Sequence, residues 1–417
     1  MHATIGDFSA SGEPVRLSVE DRRRHFYIAG KSGTGKSTLL FNLITADLAN
    51  GSGFCLLDPH GDLALSVADT IPNARFNDVV YLDPADSSHC VAYNPLANVE
   101  PDLRALTAAQ IVASFKHVWA ESWGPRMEYI LTNSLRLLLD APRPTLLALP
   151  RLLVDSDYRA RLLVHCSDHV VRAFWEMEFA KYEPRFRNEA IAPIQNKVGA
   201  LLGNPFIRNL LGQTKSTINI SSLMNSGKIL IVNLSKGRLG EEPSHLLGAL
   251  FASAFAQAAE ARAALREEER RDFTLYVDEF QNFATSSFAS MLSEARKWRL
   301  SLILANQFLG QLSDTLRQAV LGNVGTLIVF RVSAEDAASL APELGIGTPL
   351  ALTDTPNHQA WIKLTQHGVP SEPRLLSTFP PNFSGKGKLA AVQARTRARF
   401  ARSRAIVEER NRAFVRF

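Results

Sequence analysis

The stretch Phe26-Tyr-Ile-Ala-Gly-Lys-Ser-Gly-Thr-Gly-Lys-Ser-Thr-Leu-Leu40 decides the fold of this chain. Its first four residues are strand-like, a glycine-rich turn follows, and the residues from Ser37 onward have the apolar spacing of an amphipathic helix. Gly30, Gly35, Lys36 and Ser37 occupy the G-x-x-x-x-G-K-[ST] spacing of a phosphate-binding loop. An accidental match in a glycine-rich turn is the alternative. The strand before the loop and the helix after it argue against that alternative.

The residue types in this loop suit the chemistry of binding a polyphosphate. Glycines let the backbone turn so that successive N–H groups face the phosphates, and the N-terminus of the following helix adds a positive dipole. Lys36 is predicted to reach the β- and γ-phosphates, and the Ser37 hydroxyl to ligate Mg²⁺. The sequence therefore predicts ATP and Mg²⁺ as ligands, with the nucleotide held by Gly30, Lys31, Ser32, Gly33, Thr34, Gly35, Lys36, Ser37 and Thr38.

Length and composition describe an ordinary water-soluble protein. With 417 residues the chain is long enough for two or three domains, or for one core domain with a large insertion. Hydrophobic residues make up 46% of it, and the mean hydropathy is −0.04. No run of about 18 apolar residues predicts a transmembrane helix, and the N-terminus shows no basic-then-apolar signal. The three cysteines form no C-x-x-C pair and suit a reducing compartment.

Positive charge is concentrated at the C-terminus. Residues 386–417 carry ten Lys/Arg and two Asp/Glu, whereas residues 1–385 carry 36 basic and 39 acidic side chains. Five arginines stand close together there: Arg395, Arg397, Arg399, Arg402 and Arg404. This pattern predicts a flexible basic arm that contacts DNA phosphates. A solubility feature or a protein-docking segment is the alternative.

Short apolar runs that end in polar turns recur along the chain. Besides the strand before the loop, they occupy residues 53–57, 79–82, 228–234, 273–277, 300–306, 324–330 and 359–364. Because helical patterns alternate with them, they predict a mostly parallel α/β sheet, whose ligands bind at the carboxyl ends of the strands. His60 and Asp62 follow one of these strands and are predicted to lie near the site; a plain turn is the alternative.

Acidic residues follow the strand at 273–277. Asp278 is predicted to hold Mg²⁺, directly or through water, and Glu279 to orient and polarise the attacking water. The next strand ends at Gln307, which is predicted to lie between Glu279 and the γ-phosphate and to sense hydrolysis. Capping of the following turn is the alternative for Gln307. The sequence thus predicts Lys36, Glu279 and Gln307 as catalytic residues.

Residues 97–215 have a different pattern, because strand-like runs disappear and helical periodicity, punctuated by prolines, takes over. We predict an N-terminal lead-in at 1–24 with an edge strand at 14–19. An ATPase domain is predicted from 25–96 and 216–385, with an all-α domain inserted at 97–215. The basic tail occupies 386–417.

The motifs together resemble the HerA–FtsK superfamily of RecA-like motors. The likeness rests on the phosphate-binding loop, Asp58-Pro-His-Gly-Asp62, Val277-Asp-Glu-Phe280, Ala295-Arg-Lys297 and Ala305-Asn-Gln307. Within the superfamily the chain is similar to type IV secretion coupling proteins, the conjugative DNA-transfer ATPases. That similarity runs from about residue 20 to residue 400 and includes Trp123-Gly-Pro-Arg-Met127 and the helical insertion.

The resemblance implies a RecA-like fold and a DNA-pumping ATPase, typically a hexamer, in which an arginine acts across the subunit interface. Arg296, 18 residues after Asp278 and 11 before Gln307, matches the family's finger position, and Arg331 is a second candidate. A surface salt bridge is the alternative for either arginine. The resemblance also implies DNA and secretion or DNA-processing proteins as partners. Coupling proteins usually carry N-terminal transmembrane helices, whereas here the loop begins at Gly30. A cytoplasmic motor, soluble or peripheral to the inner face of the membrane, is therefore predicted.

The predicted function is Mg²⁺-dependent ATP hydrolysis coupled to movement of DNA by a ring. Two other classes of function share parts of this pattern. A secretion ATPase that acts on proteins would carry the same catalytic motifs without stimulation by DNA. A nucleotide-dependent switch or scaffold would bind ATP with negligible turnover, and the Asp278–Glu279 pair argues against it.

Overall fold

A computed structural model of the protein describes residues 2–366, 368–381 and 387–416, and the chain divides into two compact units. Unit 1 contains residues 1–82, 220–235 and 254–396. Unit 2 contains residues 83–219, 236–253 and 397–417. The insertion predicted at 97–215 thus falls within unit 2, which begins earlier, at Asp83, and takes two further segments of the chain.

The strands are numbered in chain order: β1 (His2–Phe8), β2 (Pro14–Ser18), β3 (Phe26–Ala29), β4 (Gly53–Asp58), β5 (Val79–Leu82), β6 (His89–Val91), β7 (Ile229–Asn233), β8 (Phe273–Val277), β9 (Leu300–Asn306), β10 (Thr326–Val329), β11 (Gln359–Lys363), β12 (Thr365–Gln366), β13 (Val369–Pro370), β14 (Arg374–Thr378) and β15 (Ala401–Ser403).

The α-helices are numbered in the same way: α1 (Val19–Arg22), α2 (Lys36–Asn50), α3 (Asp62–Asp69), α4 (Arg104–Val118), α5 (Pro125–Asp140), α6 (Ala148–Val154), α7 (Ser156–Leu163), α8 (His169–Ala173), α9 (Pro184–Gly203), α10 (Pro205–Leu211), α11 (Ile220–Asn225), α12 (Lys236–Leu239), α13 (Glu241–Glu260), α14 (Ser286–Glu294), α15 (Asp314–Asn323), α16 (Ala334–Leu344), α17 (Leu350–Thr353), α18 (Leu389–Phe400) and α19 (Arg404–Arg416).

Unit 1 is built on one large sheet. Among the described residues it has eleven strands in the order β2-β1-β14-β11-β10-β3-β9-β8-β4-β7-β5. The seven strands from β10 to β5 are parallel, and the remaining neighbours pair antiparallel. The mostly parallel α/β sheet predicted from the sequence is confirmed.

The core of unit 1 explains why the central strands are apolar on both faces. Every residue of β3, β4, β7, β8 and β9 is buried, as in parallel sheets whose two faces are both covered. Leu39 and Leu43 of α2 and Val67 of α3 pack in one cluster with Ile28 of β3 and Leu56 of β4. Removing such a fully buried leucine costs about 2–5 kcal/mol of folding free energy. This packing fixes α2 against the strand that precedes it.

The N-terminal residues are part of this sheet rather than a separate lead-in. β1 pairs with β14 on one side and with β2 on the other, and β2 is an edge strand of the sheet. Val15 and Leu17 of β2 are buried and alternate with more exposed neighbours. The sequence predicted an edge strand at residues 14–19 but did not predict its antiparallel partner β1.

Unit 2 contains the helices α4 to α10, together with the short antiparallel pair β6–β15. The helix α9 continues through Pro193, so the proline that suggested a break is tolerated inside it. The β6–β15 pair lies outside residues 97–215, for which the all-α insertion is predicted, and the elements within that range are helices.

The C-terminal residues 387–416 are folded, which corrects the prediction of a flexible arm. In unit 1, the hydroxyl of Thr396 accepts a hydrogen bond of 3.0 Å from the Tyr81 N–H group. In unit 2, Arg397 forms an ion pair of 2.7 Å with Asp86, and Val407 is buried. This hydrogen bond, this ion pair and the buried Val407 pack the C-terminal residues within their units.

Candidate active site

The phosphate-binding loop joins β3 to α2 at the carboxyl edge of the parallel strands in unit 1. Gly33 has a φ of 76° and Gly35 a φ of 122°, backbone conformations that side chains rarely adopt. No side chain caps α2, whose N-cap is Gly35. The first backbone N–H groups of a helix have no partner within the helix, and in α2 they follow the loop directly. The loop therefore has the arrangement that binds phosphate.

The Lys36 side chain is hydrogen-bonded to the backbone of the phosphate-binding loop. Its Nζ atom donates hydrogen bonds to the carbonyl oxygens of Gly30, at 2.6 Å, and of Lys31, at 3.2 Å. Burial lowers the pKa of Lys36, while the nearby Glu279 and Asp278 carboxylates act to raise it. The Lys36 ammonium thus lies between the loop and two acidic groups, where the terminal phosphates of a nucleotide bind in this motif.

Asp278 follows β8 and lies beside the first turn of α2. It is buried, and its Oδ2 atom accepts a hydrogen bond of 3.3 Å from the Ser37 hydroxyl. Burial, together with the negative charges of Asp58 and Glu279, raises the pKa of Asp278 to about 6. A divalent cation would relieve this crowding of negative charge. Ser37 and Asp278 therefore fit the metal-binding roles predicted from the sequence.

Glu279 is held by its neighbours in a left-handed backbone conformation, with φ 48° and ψ 53°. Its carboxylate accepts hydrogen bonds from the side-chain nitrogens of Gln307, at 3.0 Å, and Gln281, at 2.7 Å. Burial acts to raise the pKa of Glu279, but the nearby His60 ring and the hydrogen bonds from Gln281 and Gln307 outweigh it and lower the pKa to about 2. Glu279 is thus ionised at neutral pH, as a base must be.

The sequence Asp58-Pro-His-Gly-Asp62 serves both as a turn and as part of the site. The Asp58 carboxylate accepts backbone hydrogen bonds from His60, at 2.9 Å, and Ala64, at 2.8 Å, which fixes the start of α3. The ring of His60 lies 4.0 Å from the Glu279 carboxylate, and the interaction with Glu279 raises the pKa of His60. Asp62 is exposed at the first position of α3.

The two candidate arginines lie at opposite edges of the sheet. Arg296 is exposed in the turn Ala295–Trp298, just before β9, and lines a charged cavity of about 770 Å³. Since β9 is seven residues long, Arg296 is roughly 20 Å from Gln307. Arg331 lies at the carboxyl edge, where its carbonyl oxygen accepts a hydrogen bond of 2.9 Å from the Lys31 N–H group.

Two features beside the loop were not predicted. Gln281 contacts Glu279, and only its position two residues after that glutamate hinted at the contact. The turn at residues 355–358 contacts the loop through a hydrogen bond of 2.9 Å from the His358 N–H group to the Thr34 carbonyl oxygen. No motif in the sequence marks this turn.

The loop, α2 and the acidic residues at the ends of parallel strands define a RecA-like P-loop NTPase. The chain belongs to the family described as the type IV secretion-system coupling protein DNA-binding domain, whose family model matches residues 12–348. A search of curated proteins gives no match. Within the described residues, no helix has the length and apolar character needed to span a membrane.

Solved structures share the fold over nearly the whole chain. The bacterial conjugative coupling protein TrwBdeltaN70, in an unbound form, is 16% identical, with a TM-score of 0.66 over 92% of this chain and 90% of that chain. The plasmid coupling protein TrwB in complex with ADP and Mg²⁺ is 18% identical, with a TM-score of 0.65 over 92% of both chains. VirB4 of Thermoanaerobacter pseudethanolicus is 14% identical, with a TM-score of 0.63 over 90% of this chain and 96% of that chain.

Proposed function

We propose that this protein is a Mg²⁺-dependent ATPase that moves DNA and works as a ring of identical subunits, most simply a hexamer. The observation that carries the proposal is the position of Lys36 in the phosphate-binding loop, within the field of the buried pair Asp278 and Glu279. This arrangement provides both halves of a site for phosphoryl transfer to water: a cradle for the phosphates and a base for the attacking water.

The residues present fit a magnesium ion that is shared with the nucleotide. The described residues contain no group of three or more His, Cys, Asp or Glu side chains able to hold a metal by themselves. Mg²⁺ is usually held by one or two protein ligands together with phosphate oxygens and water. Ser37 and Asp278 would supply the protein ligands, and the bound ion would neutralise charge on the phosphates.

The other residues of the site then have separate roles. Lys36 and the backbone N–H groups at the start of α2 bind the β- and γ-phosphates. Glu279, ionised and held by Gln307 and Gln281, orients a water molecule and accepts its proton. Gln307 follows β9, the strand next to β8. A change in its contact with Glu279 on hydrolysis would therefore shift the end of β9.

DNA as the substrate is supported by the family, whose printed description names a DNA-binding domain, and by the fold shared with conjugative coupling proteins. The exposed position of Arg296 at the amino edge of the sheet supports action on a neighbouring subunit, since it is too far from its own loop to contact a phosphate there. Arg331, which lies beside its own loop, fits this role less well.

The proposal is tested by steady-state ATP hydrolysis with no polymer, with single-stranded DNA and with duplex DNA. A DNA motor hydrolyses ATP faster when one of the two DNA forms is present, and the Lys36→Ala variant hydrolyses none in any condition. Turnover that no DNA stimulates would favour a secretion ATPase that acts on proteins. Binding of ATP with negligible turnover in all three conditions would favour a switch or scaffold.

A further inference from the structure

We propose that the turn formed by residues 355–358 binds the nucleoside part of the nucleotide, and that the His358 ring packs against the base or ribose. The inference rests on the proposed binding of ATP, and it adds a binding role to residues that carry no recognised motif.

The position of the turn follows from the strand order of unit 1. Glu279 and Gln307 follow β8 and β9, which lie on one side of β3. The turn precedes β11, and β11 lies on the other side of β3, beyond β10. A nucleotide whose γ-phosphate faces Glu279 therefore has the β10–β11 flank of the loop free for its nucleoside.

The turn is tied to the phosphate-binding loop and to the sheet. The His358 N–H group donates to the Thr34 carbonyl oxygen at 2.9 Å, and the His358 carbonyl oxygen accepts two hydrogen bonds of 2.9 Å from Thr378. The guanidinium of Arg331 donates to the Asn357 side-chain oxygen at 2.8 Å. The carbonyl oxygen of Arg331 in turn accepts from the Lys31 N–H group. The turn is thus joined to the phosphate-binding loop at two points: directly at Thr34, and through Arg331 at Lys31.

The His358 side chain is presented to solvent by a left-handed turn. His358 has a φ of 64°, a conformation that few non-glycine residues adopt, with Asn, Asp and His the commonest among them. Its side chain is exposed, so core packing does not account for a ring at this position.

The ring also lies beside the start of α2. A Cβ atom on Gly35 would be 3.4 Å from the His358 Nδ1 atom and 3.1 Å from the Phe330 ring. An exposed ring at the N-cap of the phosphate-binding helix is placed to cover a bound nucleoside, and aromatic rings stack on any base because every base has a π-face.

The test compares ATP with inorganic tripolyphosphate, which lacks a nucleoside, by isothermal titration calorimetry in the presence of Mg²⁺. The His358→Gly variant removes the ring and permits the positive φ. We expect it to bind ATP about tenfold more weakly than the unmodified protein, from the loss of one stacking contact, and to bind tripolyphosphate within about twofold. His358→Phe, which restores a ring, should regain most of the ATP affinity. Asn98→Gly, at another exposed residue with a positive φ of 57°, is the matched backbone control.

The outcomes separate this inference from the proposed function. If Lys36→Ala loses both ligands while His358→Gly binds both as before, the site binds phosphate but the nucleoside lies elsewhere, and the inference is wrong. Equal weakening of both ligands by His358→Gly would mean that His358 only supports the loop, which also overturns it. If the unmodified protein binds neither ligand, the proposed function fails first and the inference falls with it.

Discussion

Gln307 donates a hydrogen bond of 3.0 Å to the carboxylate of Glu279, and this contact joins the ends of the neighbouring strands β8 and β9. Because Gln281 and His60 also contact the same carboxylate, Glu279 is oriented before any nucleotide binds. Orientation of a base ahead of the reaction lowers the barrier without requiring tighter binding of the substrate.

The Gln307→Ala variant should therefore lose turnover and keep ATP affinity. Hydrogen bonds to charged groups contribute about 1.5–3 kcal/mol, so we expect kcat to fall about 10- to 100-fold. Steady-state kinetics and calorimetry with ATP measure the two quantities. Gln318→Ala, at an exposed position on α15, is the control and should change neither. A variant of Gln307 with normal kcat would mean that this residue only caps the turn after β9.

Lys36 and Glu279 should fail in different ways. Lys36→Ala removes the ammonium that faces the phosphates and should weaken ATP binding. Glu279→Gln keeps the shape of the side chain and removes its negative charge, so it should bind ATP normally while turnover falls by about 10²-fold or more. Calorimetry and single-turnover hydrolysis distinguish the two losses. An active Glu279→Gln protein would remove Glu279 from the role of base.

Local sequence patterns predicted those site residues that lie in a single loop or directly after a single strand. The phosphate-binding loop, Asp278, Glu279 and Gln307 lie at strand ends, and an apolar run marks each strand. Parallel strands place their carboxyl ends at one edge, so the pattern alone indicates that these residues meet.

The remaining features depend on contacts that are distant in sequence. His358 reaches Thr34 because β11 follows β10 in the sheet order, and a one-dimensional pattern does not give that order. The C-terminal fold depends on similar contacts, since β15 pairs with β6 more than 300 residues away, between Ser403 and His89 for example. The prediction of a flexible tail rested on composition, which gives the number of arginines but not the residues that they contact.

The stability of the protein should fall in mild acid because of His25. This residue precedes β3, is 1% exposed, and accepts a hydrogen bond of 3.1 Å at Nδ1 from the Leu302 N–H group. Burial, reinforced by the charge of Arg296, lowers the pKa of His25 to about 4 from 6.5. The unfolded chain therefore binds the proton near pH 6.5 and the folded chain only near pH 4. Between these values the unfolded state is favoured progressively as the pH falls.

We expect His25 to account for a loss on the order of 3 kcal/mol in the free energy of unfolding between pH 7 and pH 4. His25→Asn tolerates the positive φ of 60° and should show a correspondingly smaller loss in urea unfolding across this range. His169→Asn, at an exposed histidine, should follow the unmodified protein. If His25→Asn shows the same acid loss as the unmodified protein, His25 is not the group responsible.

The C-terminal arginines remain a predicted DNA contact, which point replacements test more cleanly than deletion of residues 386–417. Removing residues 386–417 would take away the buried Val407 and Asn411 as well as the charges. Replacing the exposed residues Arg402, Arg410 and Arg412 with glutamine keeps α19 and removes three charges.

If these three side chains contact phosphates, the slope of log affinity against log salt should become shallower by about 2–3. Fluorescence anisotropy with labelled DNA over a salt series measures this slope. A triple replacement of Arg143, Arg161 and Arg185, all exposed in unit 2, is the charge-matched control. An unchanged slope in the C-terminal variant would leave solubility or protein docking as the role of these arginines.

Arg296 should act on the nucleotide of a neighbouring subunit. It lies at the amino edge of the sheet, whereas Lys36 and Glu279 lie at the carboxyl edge. Arg296 can therefore reach a nucleotide bound by Lys36 and Glu279 only when these belong to a neighbouring subunit of a ring. An arginine supplied in trans contributes about 10³-fold or more to the rate of phosphoryl transfer. Arg296→Ala should keep ATP affinity and lose hydrolysis, while Lys297→Ala, at the adjacent exposed residue, should retain it.

The decisive experiment measures ATP hydrolysis by mixtures of the Arg296→Ala and Lys36→Ala variants. Lys36→Ala is expected to be inactive by itself. A mixed ring contains interfaces at which an intact phosphate site on one subunit meets an intact Arg296 on the next. Such interfaces should hydrolyse ATP, so the mixture of two inactive proteins should recover part of the activity, with a maximum near equal amounts. If the two variants assemble together and remain inactive at every ratio, Arg296 acts within its own subunit or only holds the turn before β9.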